Sequence, residues 1–481
     1  MYQIHFNQPV HVHFIGIGGI SMSGLAEVLL EEHFTISGSD ARESELTAKL
    51  EQSGAVIYYG QSADNIRPGT DLVVYTAAIH EDNPEYQAAK KAGIPMLSRA
   101  ELLGQIMNNY KQSVAVAGTH GKTTTTSMVT QILLAAQADP TISVGGILPA
   151  IGGNIRVGHS AYFVTEACEY TNSFLQFYPK YSMILNIEED HLDFFKDLDD
   201  IRHSFRLFAE NTAKDGAVII NREIDGMEQL LEGLECDIVT YGFDPSCCSF
   251  YPDSITYQAS GYAQFTVMHQ IHKAVHSESD GNSSKFLAWK ESEKVCDVSL
   301  SVPGRHNISN ALAAAALAVQ MGIPAEAISQ GLHAFRGTDR RFQFKGELNG
   351  ATIIDDYAHH PTEIRATLSA AADYPHTRIL CVFQPHTYSR TKAFLDEFAA
   401  ALSAADLVVL ADIYAAREAD TLGVSSLDIL KRLEEKGTEC CFFPTFEEIE
   451  KFLQKKLMNG DLLITMGAGD ILTVGEDLVN H

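Results

Sequence analysis

The segment "GTHGKTTTT", Gly118 to Thr126, carries the residue types that bind phosphate groups. The common phosphate loop reads G-x-x-x-x-G-K-[ST], whereas here residue 116 is valine and the loop shortens to G-x-x-G-K-T. The strand-like "VAVAG" precedes it and a helical pattern follows, so backbone N–H groups at a helix N-terminus would face an anion. The context predicts a short nucleotide-binding loop in which Lys122 reaches the terminal phosphates and Thr123 contacts Mg²⁺. A glycine-rich turn that binds nothing is the alternative.

A second glycine cluster, "GIGGISMSG", follows the apolar segment "VHVHF" near the N-terminus. It places Gly16, Gly18 and Gly19 after a predicted strand, and Asp40 at the tip of the next one, near the spacing of a ribose contact. The third glycine position of a dinucleotide fingerprint holds Ser21. The pattern indicates a pyrophosphate site for NAD or equally for a UDP-sugar, with a purely structural turn as the alternative.

Two motifs in the middle of the chain, "TEACEYTNSF" and "NIEEDHLDFF", each follow an apolar strand. They place Glu166 and His191 at the carboxyl ends of strands in a parallel sheet, where ligands collect. Together with Thr123 they form a candidate Mg²⁺ site of oxygen ligands and one imidazole. Taken singly, either residue is better explained as a solvated loop position.

Composition limits the kind of partner. The net charge of −27 disfavours nucleic acid as a partner and requires that Lys, Arg or Mg²⁺ gather wherever phosphates bind. The longest apolar run, "ALAAAALAV", is far shorter than the ~18 residues of a membrane span, and the N-terminus lacks a signal-peptide pattern. Eight cysteines without C-x-x-C spacing indicate reduced thiols. We expect a soluble, cytoplasmic protein with no membrane partner.

Strand and helix patterns alternate along the 481 residues, which predicts an α/β protein of three domains. The polar stretch "NNYKQS" marks the first boundary, and a third set of strands begins after Gly337. The predicted domains are 1–110, Rossmann-like; 111–336, a central P-loop ATPase-type domain with a parallel sheet; and 337–481, again Rossmann-like.

The polar segment from Ser246 to Val298 departs from this alternation. Its pattern predicts β-hairpins with a surface loop, and we interpret it as a surface insertion. Its histidines, including His272 and His276, lack the spacing of metal ligands.

Seven motifs occur in one order along the chain: "GTHGKTTTT", "EACEYTNSF", "NIEEDHLD", "GRHNISNALAA", "RRFQ", "DDYAHHPTEI" and "FQPHTYSRT". In combination, and over essentially the whole chain, they resemble the Mur ligases of peptidoglycan synthesis. The resemblance implies an ATP-dependent amide-forming ligase with a UDP-sugar domain, a central ATPase domain and a C-terminal domain that closes over both. It implies UDP-N-acetylmuramate, L-alanine and ATP as substrates and Mg²⁺ as cofactor. We expect a monomer or weak dimer.

The resemblance also implies roles for individual residues. The ATP-binding set is Gly118, Thr119, His120, Gly121, Lys122, Thr123, Thr124, His306, Asn307, Asn310, Arg341 and Asp355. The UDP-sugar set is Gly16, Gly18, Gly19 and Asp40; the amino-acid set is Tyr357, His359 and Arg390; the metal set is Thr123, Glu166 and His191. The implied catalytic residues are Lys122, Arg341 and His359.

Within these sets, the resemblance places His306, Asn307 and Asn310 near the adenine. It brings Arg341 and Asp355 from the C-terminal domain to phosphate and ribose.

Arg390 suits the amino-acid carboxylate through a bidentate fork, since Thr387 stands where some members of the family have arginine. His359 is either a base for the incoming amine or a group that only positions the substrate.

Three other functions stay open. A Mur ligase that joins a preformed tripeptide to the same sugar nucleotide shares the motifs of the first two domains, although "FQPHTYSRT" and "DDYAHH" favour a single amino acid. An NAD-dependent dehydrogenase would use "GIGGIS" but leaves "GTHGKTTTT" unexplained. A nucleotide-gated binding protein without catalysis is the third.

Overall fold

The computed structural model describes residues 2–76, 78–258, 261–276, 285–416 and 418–480, without the side chains of 272–276 and 285–290. Three sheets follow one another along the chain, within residues 11–98, 112–303 and 343–466. The predicted three-domain α/β fold is confirmed. The domain limits 110/111 and 336/337 fall between the sheets, and we keep them as our proposal.

The N-terminal domain is a doubly wound parallel sheet. Its strands are β1 His11–Ile15, β2 Thr35–Asp40, β3 Val56–Tyr59, β4 Leu72–Tyr75 and β5 Met96–Ser98. Its helices are α1 Ile20–Glu31, α2 Glu45–Gln52, α3 Pro84–Ala92 and α4 Arg99–Met107, with a 3₁₀ turn at Ala63–Asn65. The strand order β3-β2-β1-β4-β5 reverses direction between β1 and β4, and such a switch point is where ligands bind in these sheets. The first glycine cluster follows β1 at this switch point.

The central domain is built on a ten-stranded sheet with the order β15-β14-β13-β12-β11-β10-β6-β9-β7-β8. The strands are β6 Gln112–Ala117, β7 Thr141–Leu148, β8 Gly153–Arg156, β9 Tyr162–Ala167, β10 Tyr181–Ile184, β11 Ala217–Asn221, β12 Asp237–Tyr241, β13 Phe250–Tyr257, β14 Tyr262–His276 and β15 Lys285–Pro303. The helices are α5 Lys122–Ala135, α6 Leu198–Glu210, α7 Met227–Leu231, α8 Arg305–Gln320 and α9 Ala325–Ala334, with 3₁₀ turns at Pro149–Ile151 and Tyr170–Gln176.

Strand β6 lies between β9 and β10 and runs parallel to both, so the loops that follow these three strands meet at one edge of the sheet. The alanine-rich α8 is buried along nearly its whole length, which its small side chains permit.

The interpretation of Ser246–Val298 as a surface insertion was wrong for most of that segment. The predicted hairpin strands exist, but they extend the central sheet: β13 pairs parallel with β12, and β14 and β15 then add antiparallel pairs. Phe250, Phe265 and Val267 are buried in the central core, because alternate residues of a strand face opposite sides and the polar ones alone resembled a surface. Residues 277–284, like the side chains of His272 and His276, lie outside the described residues.

The C-terminal domain has a six-stranded sheet with the order β16-β17-β21-β18-β19-β20, in which only the edge strand β16 pairs antiparallel. The strands are β16 Gln343–Leu348, β17 Ala351–Asp356, β18 Ile379–Phe383, β19 Leu407–Leu410, β20 Glu439–Phe442 and β21 Leu462–Met466. The helices are α10 Pro361–Ala372, α11 Tyr388–Ala393, α12 Leu395–Leu402, α13 Ser426–Glu435, α14 Phe446–Lys456 and α15 Leu472–Asn480.

Two chain-wide features concern the cysteines and the membrane. The eight cysteines are all described, and each is a free thiol. Among the helices that the structure describes, none combines the length and the apolar character that crossing a bilayer needs.

The N-terminal domain packs against the central domain through a shared apolar cluster that joins residues such as Phe14 and Phe163. Two helix glycines lie at this contact, Gly24 of α1 against the side chain of Ile155 and Gly104 of α4 against the backbone of Gln176. A Cβ atom added at Gly104 would lie 2.0 Å from the Gln176 carbonyl oxygen. Such close approach explains a helix-interior glycine, which otherwise costs about 1 kcal/mol relative to alanine.

We expect Gly104→Ala to lower the free energy of unfolding by about 1–3 kcal/mol, because a backbone carbonyl cannot rotate away from the added methyl group as a side chain would. Chemical denaturation measures this. Gly153→Ala is the matched control, since nothing lies within 4 Å of the Cβ position there. A Gly104→Ala protein as stable as the wild type would contradict the close packing of these domains.

Candidate active site

The predicted phosphate loop joins the end of β6 to α5, which begins at Lys122. Gly118 and Gly121 have φ angles of 147° and 81°, in the left-handed region that favours glycine. Asn186, directly after β10, holds the loop from the side: its Oδ1 accepts the His120 N–H at 2.7 Å, and its Nδ2 donates to the His120 carbonyl at 3.0 Å. The hydroxyl of Thr119 accepts the Glu188 N–H at 2.9 Å. The short loop is therefore fixed by the neighbouring strand's loop.

The ammonium group of Lys122 lies 2.9 Å from the carboxylate of Glu169, which is only 2 % exposed. Burial acts against the lysine charge, but Glu169 outweighs it and the pKa of Lys122 is raised. Lys122 is therefore a cation at the start of α5 whose position is fixed by Glu169. The sequence reasoning missed Glu169, although the residue stands inside the quoted motif "EACEY".

Part of the predicted metal set is assembled. The Thr123 hydroxyl donates to Glu166 at 3.0 Å, and the other Glu166 oxygen accepts the Gly145 N–H at 2.5 Å. Burial raises the pKa of Glu166. The ring of His191 adjoins different carboxylates, with its Nε2 3.9 Å from Glu169. The predicted trio thus appears as a Thr123–Glu166 pair, with His191 on the Glu169 side of Lys122.

A cavity of about 170 Å³ lies between the central and C-terminal domains. From the predicted ATP-binding set it is lined by His120, Gly121, Thr124, His306, Asn307, Asn310 and Arg341. Polar residues that were not predicted also line it, namely Asn186, Glu188, Asp356, Thr362 and Glu363, beside the apolar Val302, Pro303, Phe335 and Phe342. Apolar walls with a few convergent polar groups suit a flat heterocyclic base. Burial, with help from the Arg341 charge, lowers the pKa of His306 to about 4, so this ring is neutral.

The assignment of Asp355 to the nucleotide is corrected by the structure. Asp355 is fully buried, pairs with Arg340 at 3.0 Å and accepts the Thr465 hydroxyl at 2.8 Å. Its neighbour Asp356 lines the cavity instead. Consecutive side chains of a strand face opposite sides, so only one of two adjacent aspartates at the end of β17 can face the nucleotide.

The predicted amino-acid set clusters around the unpredicted His386. Arg390 Nη1 lies 3.2 Å from His386 Nδ1, and the His359 ring centroid lies 5.7 Å from that of His386 and 5.3 Å from that of Tyr357. Arg390 Nη2 also donates to Asp190 at 2.8 Å. Although burial opposes the negative charge, Arg390 holds the pKa of Asp190 well below its usual range. Arg390 is therefore already paired with a carboxylate of the central domain.

The N-terminal glycines and Asp40 also lie together. The Gly18 N–H donates to Asp40 Oδ2 at 2.8 Å, and Gly16 has a φ of 84°. Gly19 is the N-cap of α1, so this loop presents a helix N-terminus. Asp40 stabilises the glycine loop through this hydrogen bond, which is a structural role in addition to the predicted contact with the UDP-sugar.

A histidine–carboxylate group next to the cavity could suggest a metal site, since ligand atoms of His120, Glu188 and His360 lie within 4.8 Å of one another. However, His360 Nδ1 accepts the Thr362 N–H at 3.3 Å and its Nε2 lies 3.2 Å from the Glu189 carbonyl. Both ring nitrogens are engaged, so no lone pair of His360 is left for a metal. These contacts instead join the C-terminal domain to the central one.

The fold and this site define a nucleotide-binding protein whose short phosphate loop is completed by groups from a second domain. Three family models match the chain: "Mur ligase family, catalytic domain" over residues 11–111, "Mur ligase middle domain" over 116–318 and "Mur ligase, glutamate ligase domain" over 340–469. The chain belongs to the Mur ligase family.

Individual relatives cover the whole chain. The UDP-N-acetylmuramate–L-alanine ligase of Agathobacter rectalis is 64% identical over 479 residues, which are 100% of both chains. The solved UDP-N-acetylmuramate–alanine ligase of Thermotoga maritima is 30% identical, with a TM-score of 0.74 and 98% of each chain covered. A murein peptide ligase from Psychrobacter arcticus is 25% identical, with a TM-score of 0.64 and the same coverage.

Asn186→Ala should weaken ATP binding about tenfold, because the phosphate loop loses two hydrogen bonds of about 0.5–1.5 kcal/mol each. Titration calorimetry measures the ATP dissociation constant. The control is Asn211→Ala, which removes a comparable amide bond to the Leu175 carbonyl, 3.1 Å long, away from the loop. If the two variants bind ATP equally well, Asn186 does not shape the nucleotide site.

Proposed function

We propose that this protein joins L-alanine to UDP-N-acetylmuramate at the expense of ATP. The products are UDP-N-acetylmuramoyl-L-alanine, ADP and phosphate, and the reaction belongs to peptidoglycan precursor synthesis. One observation carries the proposal: the phosphate loop of the central domain faces Arg341 of the C-terminal domain across one cavity. The full-length identity to the Agathobacter rectalis ligase supports the choice of substrates.

ATP binding follows from the cavity and the loop together. The base occupies the cavity near His306, Asn307 and Asn310, while the phosphates extend along the loop to Lys122. Burial acts against the Arg341 charge, but Glu363 outweighs it and raises the pKa of Arg341, which stays a cation. In a protein of net charge −27, these local cations are what allows a triphosphate to bind.

The donor set fits Mg²⁺, which prefers oxygen ligands and keeps several waters. The Thr123 hydroxyl and the Glu166 carboxylate are adjacent oxygen donors at the start of α5. When bound there, Mg²⁺ would neutralise phosphate charge. His191 lies next to Glu169 rather than beside the Thr123–Glu166 pair. Thr123 and Glu166 thus orient the phosphate end of the nucleotide.

The chemistry needs two steps, because a carboxylate does not form an amide with an amine in water. A lactyl carboxylate oxygen of the sugar nucleotide attacks the γ-phosphorus, and the bond from that phosphorus to the ADP oxygen breaks, which leaves an acyl phosphate. The amine nitrogen of L-alanine then attacks the carbonyl carbon, the bond from that carbon to the phosphate oxygen breaks, and the departing phosphate takes up the amine proton. Lys122 and Arg341 offset the repulsion between the two anions of the first step.

The structure favours a positioning role for His359 over the role of a base. Burial is the main reason why the pKa of His359 is lowered to about 4. A ring with so low a pKa is a poor acceptor for a proton from the amino group of the substrate. A neutral ring is, however, a good hydrogen-bond acceptor, so we assign His359 to orienting the amine.

The acceptor pocket, the sugar-nucleotide site, the assembly state and the location complete the proposal. The amino-acid site at Tyr357, His359 and Arg390 is proposed to admit one small amino acid, with Arg390 binding its carboxylate. A tripeptide acceptor is the second candidate, since the Psychrobacter arcticus murein peptide ligase shares the fold over the full length. We further propose that Gly16, Gly18, Gly19 and Asp40 contact the UDP-sugar, and that the protein is a cytoplasmic monomer or weak dimer.

Phosphate release from ATP tests the function directly. We expect release only when UDP-N-acetylmuramate and an acceptor are both present, with L-alanine the best of the twenty amino acids and better than a preformed tripeptide. A stronger response to the tripeptide would assign the protein to peptide ligation. Hydrolysis that needs no acceptor would indicate a nucleotide switch.

Arg390→Ala should raise the KM for L-alanine about 10- to 100-fold, because a charge-assisted bidentate contact contributes ~1.5–3 kcal/mol. The KM for ATP should change little. The acyl phosphate forms before alanine attacks, so borohydride should still trap it in the variant. Arg378→Ala is the control, because it removes an arginine–aspartate pair with Asp461, 2.9 Å at Nε, elsewhere in the same domain. An Arg390 variant with a normal alanine KM, or without trapped intermediate, would refute this role.

A further inference from the structure

Glu363, in the first turn of α10, touches three groups that the proposed reaction needs. Its Oε1 lies 3.3 Å from His120 Nδ1 of the phosphate loop and 3.5 Å from Arg341 Nη1. Its Oε2 accepts a hydrogen bond from the backbone N–H of His359 at 3.1 Å and lies 3.2 Å from the ring nitrogen Nδ1 of the same residue. The Glu363 side chain is 10 % exposed, so one carboxylate bridges the phosphate-binding side and the amine-binding side of the site.

The local sequence explains why a carboxylate sits there. His360 is the N-cap of α10 and Pro361 begins the helix, so Glu363 occupies the first turn, where the helix dipole favours a negative charge. Burial opposes ionisation, but His359, His120 and Arg341 outweigh it, and the pKa of Glu363 lies well below its usual value. Glu363 is therefore an anion beside two cations, His120 and Arg341, and the neutral ring of His359.

We propose that Glu363 is a positioning residue, whose two oxygens align the phosphate-binding Arg341 and His120 with the amine-orienting His359. The inference rests on the proposed ligation and adds a residue to it. Glu363 itself touches neither the phosphates nor the amine in this scheme, and acts through its three neighbours.

On the amine side, Glu363 supports the tautomer of His359 that the Tyr357 carbonyl fixes. His359 Nδ1 lies 2.9 Å from the Tyr357 carbonyl oxygen, which can only accept a hydrogen bond. Nδ1 must therefore carry the proton, and the Glu363 carboxylate on the same side reinforces this choice. The lone pair is left on Nε2, which is the atom that can accept a hydrogen bond from the incoming amine.

On the phosphate side, Glu363 balances two buried cations. Without its carboxylate, Arg341 and His120 keep their attraction for the triphosphate but lose the group that fixes their direction. The expected consequence is slow turnover without weaker ATP binding. A merely structural role predicts the opposite, since a disordered domain contact would weaken ATP binding as well.

The decisive variant is Glu363→Gln, which keeps the shape and removes the charge. At pH 6, where His120 still carries its charge in the variant, we expect kcat to fall about 10- to 100-fold, while the KM for ATP stays within about threefold of the wild type. Glu448→Gln is the matched control, because Glu448 occupies the corresponding first-turn position of α14, capped by Thr445, in the same domain. A kcat equal to that of the control, or an ATP KM that rises in step with the loss of turnover, would overturn the proposal.

Binding calorimetry with ATP alone separates this inference from the proposed function, because it requires no ligation. The groups that face the His120 ring are Glu188, Glu363 and the neighbouring His360. Although burial opposes its charge, the two carboxylates raise the pKa of His120 to about 9, so the wild type keeps this cation from pH 6 to 8. In Glu363→Gln the pKa falls, so ATP affinity should decline as the pH rises from 6 to 8, unlike in the wild type. Identical pH profiles would contradict the His120 contact.

A second variant covers the case in which Glu363→Gln does not fold. Glu363→Asp keeps the charge but is one methylene shorter, so its oxygens cannot reach both sides at once. We expect a kcat between those of the wild type and the Gln variant. A wild-type kcat in Glu363→Asp would show that the two-sided geometry is unimportant and would overturn the proposal. If neither the wild type nor any variant ligates while the ATP profiles differ as expected, the proposed function fails and the Glu363 contact stands.

Discussion

Among the residues that the structure describes, the partly buried cations Lys122, His120, Arg341 and Arg390 around the phosphate loop each lie beside a carboxylate. Lys122 is paired with Glu169 at 2.9 Å, Arg390 with Asp190 at 2.8 Å, and Glu363 adjoins both Arg341 and His120. Taking a lone charge out of water costs several kcal/mol, so an acidic protein can collect cations in a cavity only if each is compensated there. This pairing of charges joins the C-terminal domain to the central one and shapes the site between them.

The contacts of the central domain with its two neighbours differ in kind. The N-terminal domain shares an apolar cluster with the central domain and approaches it within backbone contact at Gly104. The C-terminal domain meets the central one mainly through polar pairs, among them Thr362 to Glu188 at 2.6 Å and Arg390 to Asp190. Polar contacts lose less on exposure to water than apolar ones do. The charge pairs therefore form a domain contact that loses less on separation than the apolar contact of the N-terminal domain does.

The sequence predicted what depends on local pattern. The alternation of strands and helices gave the three-domain fold, and the strand–glycine–lysine order gave the loop before α5. The sequence could not predict partners that only the fold brings together: Asn186 for His120, Glu169 for Lys122, and Glu363 for three groups at once. Nor could it decide which of Asp355 and Asp356 faces the cavity, since both stand at the end of one strand and only its pairing fixes the face. The hairpin strands of Ser246–Val298 were predicted, but their place in the central sheet was not, because their polar residues concealed an apolar face.

The charge pairs also affect how one site stabilises two successive anions. The carboxylates Glu169 and Glu363 keep Lys122 and Arg341 charged and directed, so these cations are already in place when negative charge develops in the transition state. After the first step the charge to be stabilised moves from the γ-phosphate toward the acyl carbonyl, near His359. Because Glu363 touches groups on both sides, the same carboxylate stays in place while the reacting atoms change. A site built from fixed charge pairs therefore needs no rearrangement between phosphoryl transfer and amide formation.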